Sequence, residues 1–183
     1  MDDIEVIRKF KHGEAAAFND IVLKYQDRIF NLCLYMLRDT HDAQDAAQDS
    51  FIKACRALHD FSPDASLYTW IYRIAMNTCL DYRRKRIQGR VDSHSIAEDM
   101  PSLRPSPERL YESKEISEAV REALQQIPEK LRAAIVLREI DGLSYEEIAE
   151  ILECSMDSVK SGLHRARKLL LEKTEQYLHG DEK

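Results

Sequence analysis

Two short segments near the C-terminus, 143–152 and 157–168, constrain the fold more than any other part of the chain. Apolar residues recur at helical spacing in both: Ile148, Ala149 and Leu152 in the first, and Val159, Leu163, Ala166 and Leu170 in the second. Such stripes indicate two amphipathic helices that bury their apolar faces against each other. The short break between the segments makes the pair a predicted helix-turn-helix.

The remaining face of the second segment carries side chains that recognise nucleic acid. They are hydrogen-bond donors and cations, namely Ser158, Lys160, Ser161, His164, Arg165, Arg167 and Lys168. Such groups suit base edges and phosphates when a helix lies in the major groove. The pattern therefore predicts DNA as a partner.

The rest of the chain reads as helical too. Glycine and proline are scarce at five residues each, and no run of alternating apolar residues indicates a sheet. With 183 residues, 44% of them hydrophobic, the chain can build two small cores. We therefore predict an all-α protein of two small helical domains.

No segment is typical of a membrane protein or a secreted protein. Apolar stretches are only a few residues long, whereas a membrane-spanning helix needs roughly 20. The acidic start Met1-Asp2-Asp3 is unlike a signal peptide. We expect a cytoplasmic protein without direct membrane insertion.

The cysteines and histidines predict neither a metal nor a cofactor. The four cysteines, Cys33, Cys55, Cys79 and Cys154, form no C-x-x-C pair, and the six histidines do not cluster with them. We expect reduced, mostly buried thiols; a redox-sensing cysteine is the weaker alternative. There is no Gly-rich phosphate loop or nucleophile motif, so we predict that the protein is not an enzyme. An alternative function as a hydrolase that uses His and Asp is not supported by any arrangement of these residues in the sequence.

The charge of the chain is unevenly distributed. The formal net charge is −6, but two regions are rich in cations. One holds Arg73, Arg83, Arg84, Lys85, Arg86 and Arg90 with the single acid Asp81, and the other holds Lys160, Arg165, Arg167, Lys168 and Lys173 with the single acid Glu172. An acidic protein can bind DNA where its cations are concentrated, and the acidic remainder limits indiscriminate binding or meets a basic partner.

The domain boundaries follow from the loss and return of helical periodicity. We predict a first domain over 1–88, an extended linker over 89–107 that contains three prolines, and a second domain over 108–183. Within the second domain a helix restarts after Pro128 and ends at Asp141-Gly142. Ser144 and Glu147 then form a capping box for the first helix of the helix-turn-helix.

Two helices of the first domain have faces with functional potential. One, over 42–54, hides its alanines and turns Asp42, Asp45, Gln48 and Asp49 outward, although an acidic face by itself is usually only solvated. The other, over 67–86, follows a break at Pro63 and combines aromatic residues with Arg and Asn, which suits single-stranded bases. Alternatively its aromatic residues are core and its basic end is a solvated C-terminus; we expect Trp70 to be core.

The whole chain resembles the extracytoplasmic-function group of bacterial sigma factors. The resemblance covers four pieces in the family's order, namely 42–54, 66–86 with its Tyr68-Thr69-Trp70-Ile71-Tyr72-Arg73-Ile74-Ala75 core and Asn77, Pro128-Glu129-Lys130-Leu131-Arg132, and 141–168. It implies a polymerase-binding region 2, a linker that threads the channel toward the RNA exit, and a helix-turn-helix region 4.

The resemblance also implies roles for individual residues. The contacts to the beta-prime clamp helices of core RNA polymerase would be Asp42, Asp45, Gln48, Asp49 and Phe51. The melted minus-ten strand, with one base flipped out near the loop 61–68, would be bound by Asp64, Ser66, Tyr68, Arg73, Asn77, Arg83, Arg84 and Arg86. The seven polar residues of 158–168 would bind the minus-thirty-five element in the major groove. Further implied partners are the polymerase beta flap and a membrane-anchored anti-sigma factor.

Three positions depart from the family pattern. Gly162 stands where many relatives carry Arg, which predicts weaker or altered minus-thirty-five recognition. Glu153 occupies a turn position where Gly is frequent, so we expect a turn geometry that tolerates a side chain. Leu67 replaces the Phe of many relatives.

One other binding module accounts for the helix-turn-helix. The chain could be a regulator that contacts DNA as a dimer without polymerase, its N-terminal domain sensing a ligand. A symmetric footprint over two half-sites would favour that alternative.

Overall fold

The computed structural model describes residues 3–62, 65–87, 89 and 120–179, with side chains up to 175. The described residues form helices and connecting turns in two compact units, so the all-α, two-domain prediction is confirmed. Asp64 lies outside the described residues, and so does the predicted linker 89–107 apart from Gly89.

The N-terminal unit contains four α-helices. They are α1 (Asp3–Lys11), α2 (Phe18–Leu37), α3 (Thr40–Ala57) and α4 (Leu67–Ile87), with single 3-10 turns at Ala15–Ala17 and Leu58–Asp60. The turn between α2 and α3 is fixed by two adjacent residues. Arg38 takes a left-handed conformation (φ 61°) and its N–H donates to the Leu34 carbonyl, while the buried Asp39 caps α3 by accepting from the Asp42 N–H at 2.9 Å.

Helix α3 packs closely against its neighbours because its inner face is small. That face buries Ala43, Ala46, Ala47, Ser50 and Ala54. Larger side chains from α2 and α4, including Ile29, Leu32, Ile71 and Tyr72, complete the core. The interior is therefore built from bulky side chains of the other helices and small side chains of α3, as close packing requires.

Two predictions about buried side chains need correction. Only Cys33 and Cys79 are buried, whereas Cys55 is half-buried and Cys154 is exposed. Trp70 is half-buried, not core: its ring lies 5.0 Å from that of Phe61, while the neighbouring Ile71 and Tyr72 take the interior positions.

The C-terminal unit contains the second set of helices. Residues 120–126 form α5, followed by α6 (Glu129–Ile135), which continues into a π-helical turn (Val136–Ile140), and then by α7 (Tyr145–Ile151) and α8 (Met156–His179). Arg132 is fully buried and joins α5 to α6. Its guanidinium donates to the side-chain and main-chain oxygens of Gln125 at 2.6 and 2.7 Å and to the Ile127 carbonyl at 3.1 Å. A buried cation requires such a set of acceptors.

The π-helical turn changes which residues face the core. The periodicity places Ile140 on the apolar stripe of Ala134 and Leu137, but Ile140 is 42% exposed whereas the other two are buried. The Asp141 N–H donates to the carbonyl of Val136, five residues back, and this wider turn rotates the positions that follow.

The helix-turn-helix is formed by α7 and α8. Ser144 and Glu147 make the predicted capping box: the Ser144 N–H donates to Glu147 Oε2 at 2.8 Å, and the Glu147 N–H donates to Ser144 Oγ at 3.1 Å. The inner face of α7 is Ile148 and Ile151, with Ala149 and Leu152 only half-buried.

The turn itself keeps the geometry that favours glycine. Glu153 has φ 51°, which is left-handed, so our expectation of a turn that tolerates a side chain is wrong. A Cβ in this region costs roughly 1–2 kcal/mol.

We expect Glu153→Gly to raise the free energy of unfolding of the C-terminal unit by about 0.5–1 kcal/mol, because glycine removes the strain of the left-handed turn. Amide hydrogen exchange in α7 and α8 measures the change. Cys154→Gly, at the next position and without a positive φ, is the matched control and should lower stability. A loss of protection in Glu153→Gly would contradict the strain argument.

Candidate nucleic-acid and polymerase interfaces

Helix α8 separates an apolar face from a polar face. Val159, Leu163 and Ala166 are buried, and the residues predicted to contact DNA are exposed: Ser158, Lys160, Ser161, His164, Arg165, Arg167 and Lys168. Ser155 caps the helix by accepting from the Ser158 N–H at 3.2 Å. The first turns of α8 therefore present donors and cations in one exposed strip.

Several cations of α8 already have acidic partners. Arg167 makes the closest pair, with its Nη2 2.6 Å from Glu139 Oε1, and this hydrogen bond holds the pKa of Arg167 above its ordinary value. Lys160 and Lys168 lie at 3.9 and 4.0 Å from Asp157 and Glu172 on the same helix. Exposed pairs of this kind are weak, so phosphates can compete for these cations. Arg167 would first have to leave Glu139.

Gly162 lies on the buried face of α8. An added Cβ would meet Leu131 Cδ2 of α6 at 3.6 Å, an ordinary van der Waals distance. The prediction that Gly162 weakens or alters minus-thirty-five recognition stays a prediction.

Helix α4 exposes one strip of residues that can contact nucleic acid. Trp70 and Arg73 are half-buried and Asn77 is exposed, and their spacing of three and four residues places them on one face. The Ser66 hydroxyl accepts from the Thr69 N–H at 3.3 Å, at the start of the helix. An aromatic ring, a guanidinium and an amide in line can stack on, grip and read unpaired bases.

Tyr68 lies on a different face of α4, within a cluster of tyrosines. Its ring is 4.4 Å from Tyr72 and 6.0 Å from Tyr25. The Tyr25 hydroxyl donates to Asp3 Oδ2 at 2.7 Å, and burial together with this hydrogen bond raises the pKa of Tyr25 to about 12. Tyr68, which is half-buried, thus has a rigid backing.

The basic end of α4 contacts the acidic face of α3. Arg86 Nη1 lies 3.8 Å from Asp42 Oδ2, and the Tyr82 hydroxyl donates to Asp49 Oδ2 at 3.0 Å. Arg83 donates to the Met36 carbonyl at 3.2 Å, and Arg84 pairs with Asp81 within α4 at 3.1 Å. The three arginines predicted to hold phosphates are therefore engaged within the unit.

These contacts divide the predicted polymerase-binding residues into two groups. Asp45 and Gln48 are exposed, whereas the Asp42 side chain is only 13% exposed and Asp49 is half-buried. Burial and the hydrogen bond to Asp49 raise the pKa of Tyr82 above its usual range. A partner would meet Asp45 and Gln48 first.

Phe51 lines an apolar groove between α2 and α3. The groove has a volume of about 500 Å³ and is lined by Phe18, Val22, Gln26, Phe30, Gln44, Ala47, Gln48, Phe51, Ile52 and Cys55. The exposed Gln48 also lines the groove. The acidic face of α3 therefore adjoins the groove, which suits a partner with both cations and apolar side chains.

Two further observations bear on function. In the described part of the chain, no cluster of three or more His, Cys, Asp or Glu side chains is placed to hold a metal ion. None of the helices described is both long and apolar enough to cross a membrane.

Comparisons with known proteins identify the family. Residues 21–88 match the family Sigma-70 region 2, and residues 117–170 match the family Sigma-70, region 4. The chain is 40% identical over 176 residues to the RNA polymerase sigma-H factor of Pseudomonas aeruginosa, covering 92% of this chain and 91% of the relative. It is 39% identical over 179 residues to the ECF RNA polymerase sigma-E factor of Salmonella typhimurium, covering 93% of each.

This chain belongs to the extracytoplasmic-function sigma factors. A solved structure with a similar fold is the sigma factor RpoE of Bartonella quintana in complex with the anti-sigma factor NepR, at 25% identity and a TM-score of 0.71, covering 86% of this chain and 96% of that one. Sigma factors bind core RNA polymerase and promoter DNA, so this sigma factor acts in transcription initiation. The comparisons favour this reading over a regulator that acts without polymerase.

Sequence reasoning missed two residues in this sigma factor. Trp70 was expected in the core, yet its half-exposed ring stands beside Arg73 on the accessible strip of α4. Tyr82 had no assigned role, yet it holds the Asp49 carboxylate. The helical spacing of Trp70 relative to Asn77 could have revealed its position on the accessible strip. The position of Tyr82 next to Asp81 could not have revealed its role, because that role depends on how α3 and α4 pack.

We expect Gly162→Ala to stabilise region 4 by about 1 kcal/mol, since alanine is the better helix former and its Cβ fits against Leu131. Hydrogen exchange in α8 measures the gain, and minus-thirty-five selectivity should not change. Gly162→Arg is the informative contrast: it would overpack the α6–α8 contact and destabilise the unit. Tighter promoter binding by a well-folded Gly162→Arg would contradict this placement.

Proposed function

We propose that this sigma factor binds core RNA polymerase through α3, the melted minus-ten strand through α4, and the minus-thirty-five element through α8. The observation that carries the proposal is the exposed strip of α8, where donors and cations oppose a fully apolar inner face. That arrangement is typical of a recognition helix in the major groove.

The polymerase contact combines charge and apolar area. Asp45 and Gln48 meet cations of the beta-prime clamp helices, and Phe51 with its groove accepts apolar side chains. Asp42 and Asp49 contribute to this contact indirectly, because their carboxylates are already bound by Arg86 and Tyr82. In the second domain, region 4 contacts the beta flap.

The minus-ten contact uses the melted non-template strand. Trp70, Arg73 and Asn77 offer a ring, a cation and an amide to unpaired bases, while Ser66 and Tyr68 lie at the start of α4. From its position in the sequence, we assign Asp64 to the same contact. Arg83, Arg84 and Arg86 hold phosphates by exchanging their internal acceptors for DNA oxygens. Binding only the open strand shifts the equilibrium toward melting.

The proposed domains are region 2 over 1–88, a linker over 89–107 and region 4 over 108–183. The protein works in the cytoplasm as a binding subunit, and the polymerase performs the chemistry. A membrane-anchored anti-sigma factor holds it inactive until stress. The complex of the Bartonella relative with NepR supports control by an anti-sigma factor, and the apolar groove beside Phe51 offers such a partner a surface that polymerase also needs.

Run-off transcription with core polymerase tests the proposal, and Asp45→Arg tests the polymerase contact. Wild-type protein should give core enzyme start-site selectivity. Asp45→Arg should weaken core binding by on the order of tenfold, because it reverses an exposed charge in a complementary interface. Asp45 is a sharper site than Asp49, whose replacement would also remove the hydrogen bond from Tyr82.

Asp20→Arg, an equivalent charge reversal at an exposed position of α2 away from the groove, is the matched control and should bind core normally. Wild-type affinity in Asp45→Arg would remove α3 from the polymerase interface. A core enzyme that gains no selectivity from the wild-type chain would refute the function.

For the minus-thirty-five contact, we expect Arg165→Ala to cost about 1–3 kcal/mol of promoter binding, concentrated on particular base substitutions, if Arg165 makes a bidentate base contact. Lys160→Ala should weaken binding evenly across sequences, as expected for a phosphate contact. Holoenzyme binding to a library of minus-thirty-five variants separates the two patterns. An even loss for Arg165→Ala would reassign it to the phosphate backbone.

A further inference from the structure

The last residue of α1 contacts the turn that precedes α4. Lys11 Nζ donates to the main-chain carbonyl of Phe61 at 2.7 Å, across 50 residues of sequence. At Phe61 the backbone leaves the 3-10 turn Leu58–Asp60 in an extended conformation, with φ −65° and ψ 130°. Lys11 therefore holds the backbone at the point where the chain leaves this turn.

An aromatic contact fixes the end of α1 against the same turn. Phe10 is buried, and its ring lies 4.9 Å from the ring of His59 and 5.9 Å from that of Phe18. Because Phe10 anchors the neighbouring backbone, the side chain of Lys11 starts from a fixed position. Helix α1 precedes the residues 21–88 that match region 2. Two consecutive side chains of this preceding helix thus support the turn.

The side chain of Phe61 connects this support to the strip of α4 proposed to meet unpaired bases. Phe61 is buried, and its ring lies 5.0 Å from the ring of the half-buried Trp70, which is within the range of a favourable aromatic pair. A ring that is held before binding loses less conformational freedom when a base stacks on it. The orientation of Trp70 therefore depends on where the Phe61 backbone is held.

We propose that Lys11 is a positioning residue for the single-strand site. By binding the Phe61 carbonyl it keeps the Phe61 ring against Trp70, so that Trp70 is already oriented when an unpaired base stacks on it. This inference rests on the proposed function of α4 in holding the melted strand. It assigns no DNA contact to Lys11, whose ammonium group is used within the domain. Helix α1 then contributes to the minus-ten site without touching DNA.

The fluorescence of Trp70 tests the first step in the free protein, because Trp70 is the single tryptophan of the 183-residue chain. Lys11→Met keeps an apolar side chain of similar length and removes the hydrogen-bond donor. We expect the Trp70 ring to move more freely in this variant, which a faster decay of fluorescence anisotropy on the nanosecond timescale would show. Lys11→Arg, which can still donate to a carbonyl, should restore most of the anisotropy. An unchanged decay in Lys11→Met would overturn the inference.

Open complexes of the holoenzyme test the second step, on a promoter that the wild-type holoenzyme melts. With Lys11→Met we expect competitor-resistant complexes to decay on the order of threefold faster, less than for a buried hydrogen bond from a charged donor, because Lys11 is an exposed residue. Core binding and the salt dependence of the lifetime should stay at their wild-type values, since no phosphate contact is lost. Arg8→Met, which removes an exposed cation of α1 that pairs with Glu5, is the matched control and should behave as wild type.

A double-mutant cycle with Trp70→Ala separates positioning from other roles of Lys11. If Lys11 acts through Trp70, Lys11→Met should have no further effect on the lifetime in the Trp70→Ala background. An equal effect in both backgrounds would show that Lys11 acts elsewhere in the domain. A shallower salt dependence would make Lys11 a DNA contact. Either result overturns the inference.

The outcomes also distinguish this inference from the function on which it rests. If Trp70→Ala shortens the lifetime and Lys11→Met does not, the inference is wrong and the role of α4 stands. If Asn77→Ala shortens the lifetime and Trp70→Ala does not, Trp70 does not stack on a base, and the inference again fails while α4 keeps its role. If neither Trp70→Ala nor Asn77→Ala has an effect, the minus-ten assignment fails and the role of Lys11 fails with it.

Discussion

The contact between the acidic face of α3 and the basic end of α4 organises the N-terminal domain. Arg86 reaches Asp42, Tyr82 holds Asp49, and Lys53 donates to Thr78 at 3.0 Å. These links join the helix proposed to contact polymerase to the helix proposed to contact DNA. Because the alanine face of α3 allows close packing, the two surfaces lie on adjacent helices.

The internal partners of the cations bear on how a chain with a negative net charge can bind DNA. The net charge is −6, and the arginines at the end of α4 have acceptors within their own domain. The cations of α8 are likewise balanced in part by acids of the same unit. We therefore propose that each surface alone binds duplex DNA weakly and that polymerase aligns the two on one promoter.

Much of the fold and part of the site could be predicted from local patterns. The capping box of Ser144 and Glu147, the helix-turn-helix and the exposed strip of α8 all depend on residues within a few turns of one another. Predictions failed where tertiary packing overrides the local rule. The π-helical turn exposes Ile140, although its spacing in the sequence places it on an apolar stripe. The left-handed conformation of Glu153 likewise could not be predicted from the periodic pattern of the sequence.

The sequence by itself determined the helices, their apolar faces and the two basic regions, because a period of 3.6 residues and local capping chemistry are written in neighbouring positions. Only the tertiary structure decided which charges are engaged and which side chains meet across helices. Asp42 and Asp49 became partners of α4, and Lys11 came to lie beside Phe61. Contacts between residues dozens of positions apart depend on how helices pack, and that geometry is set by the whole core at once.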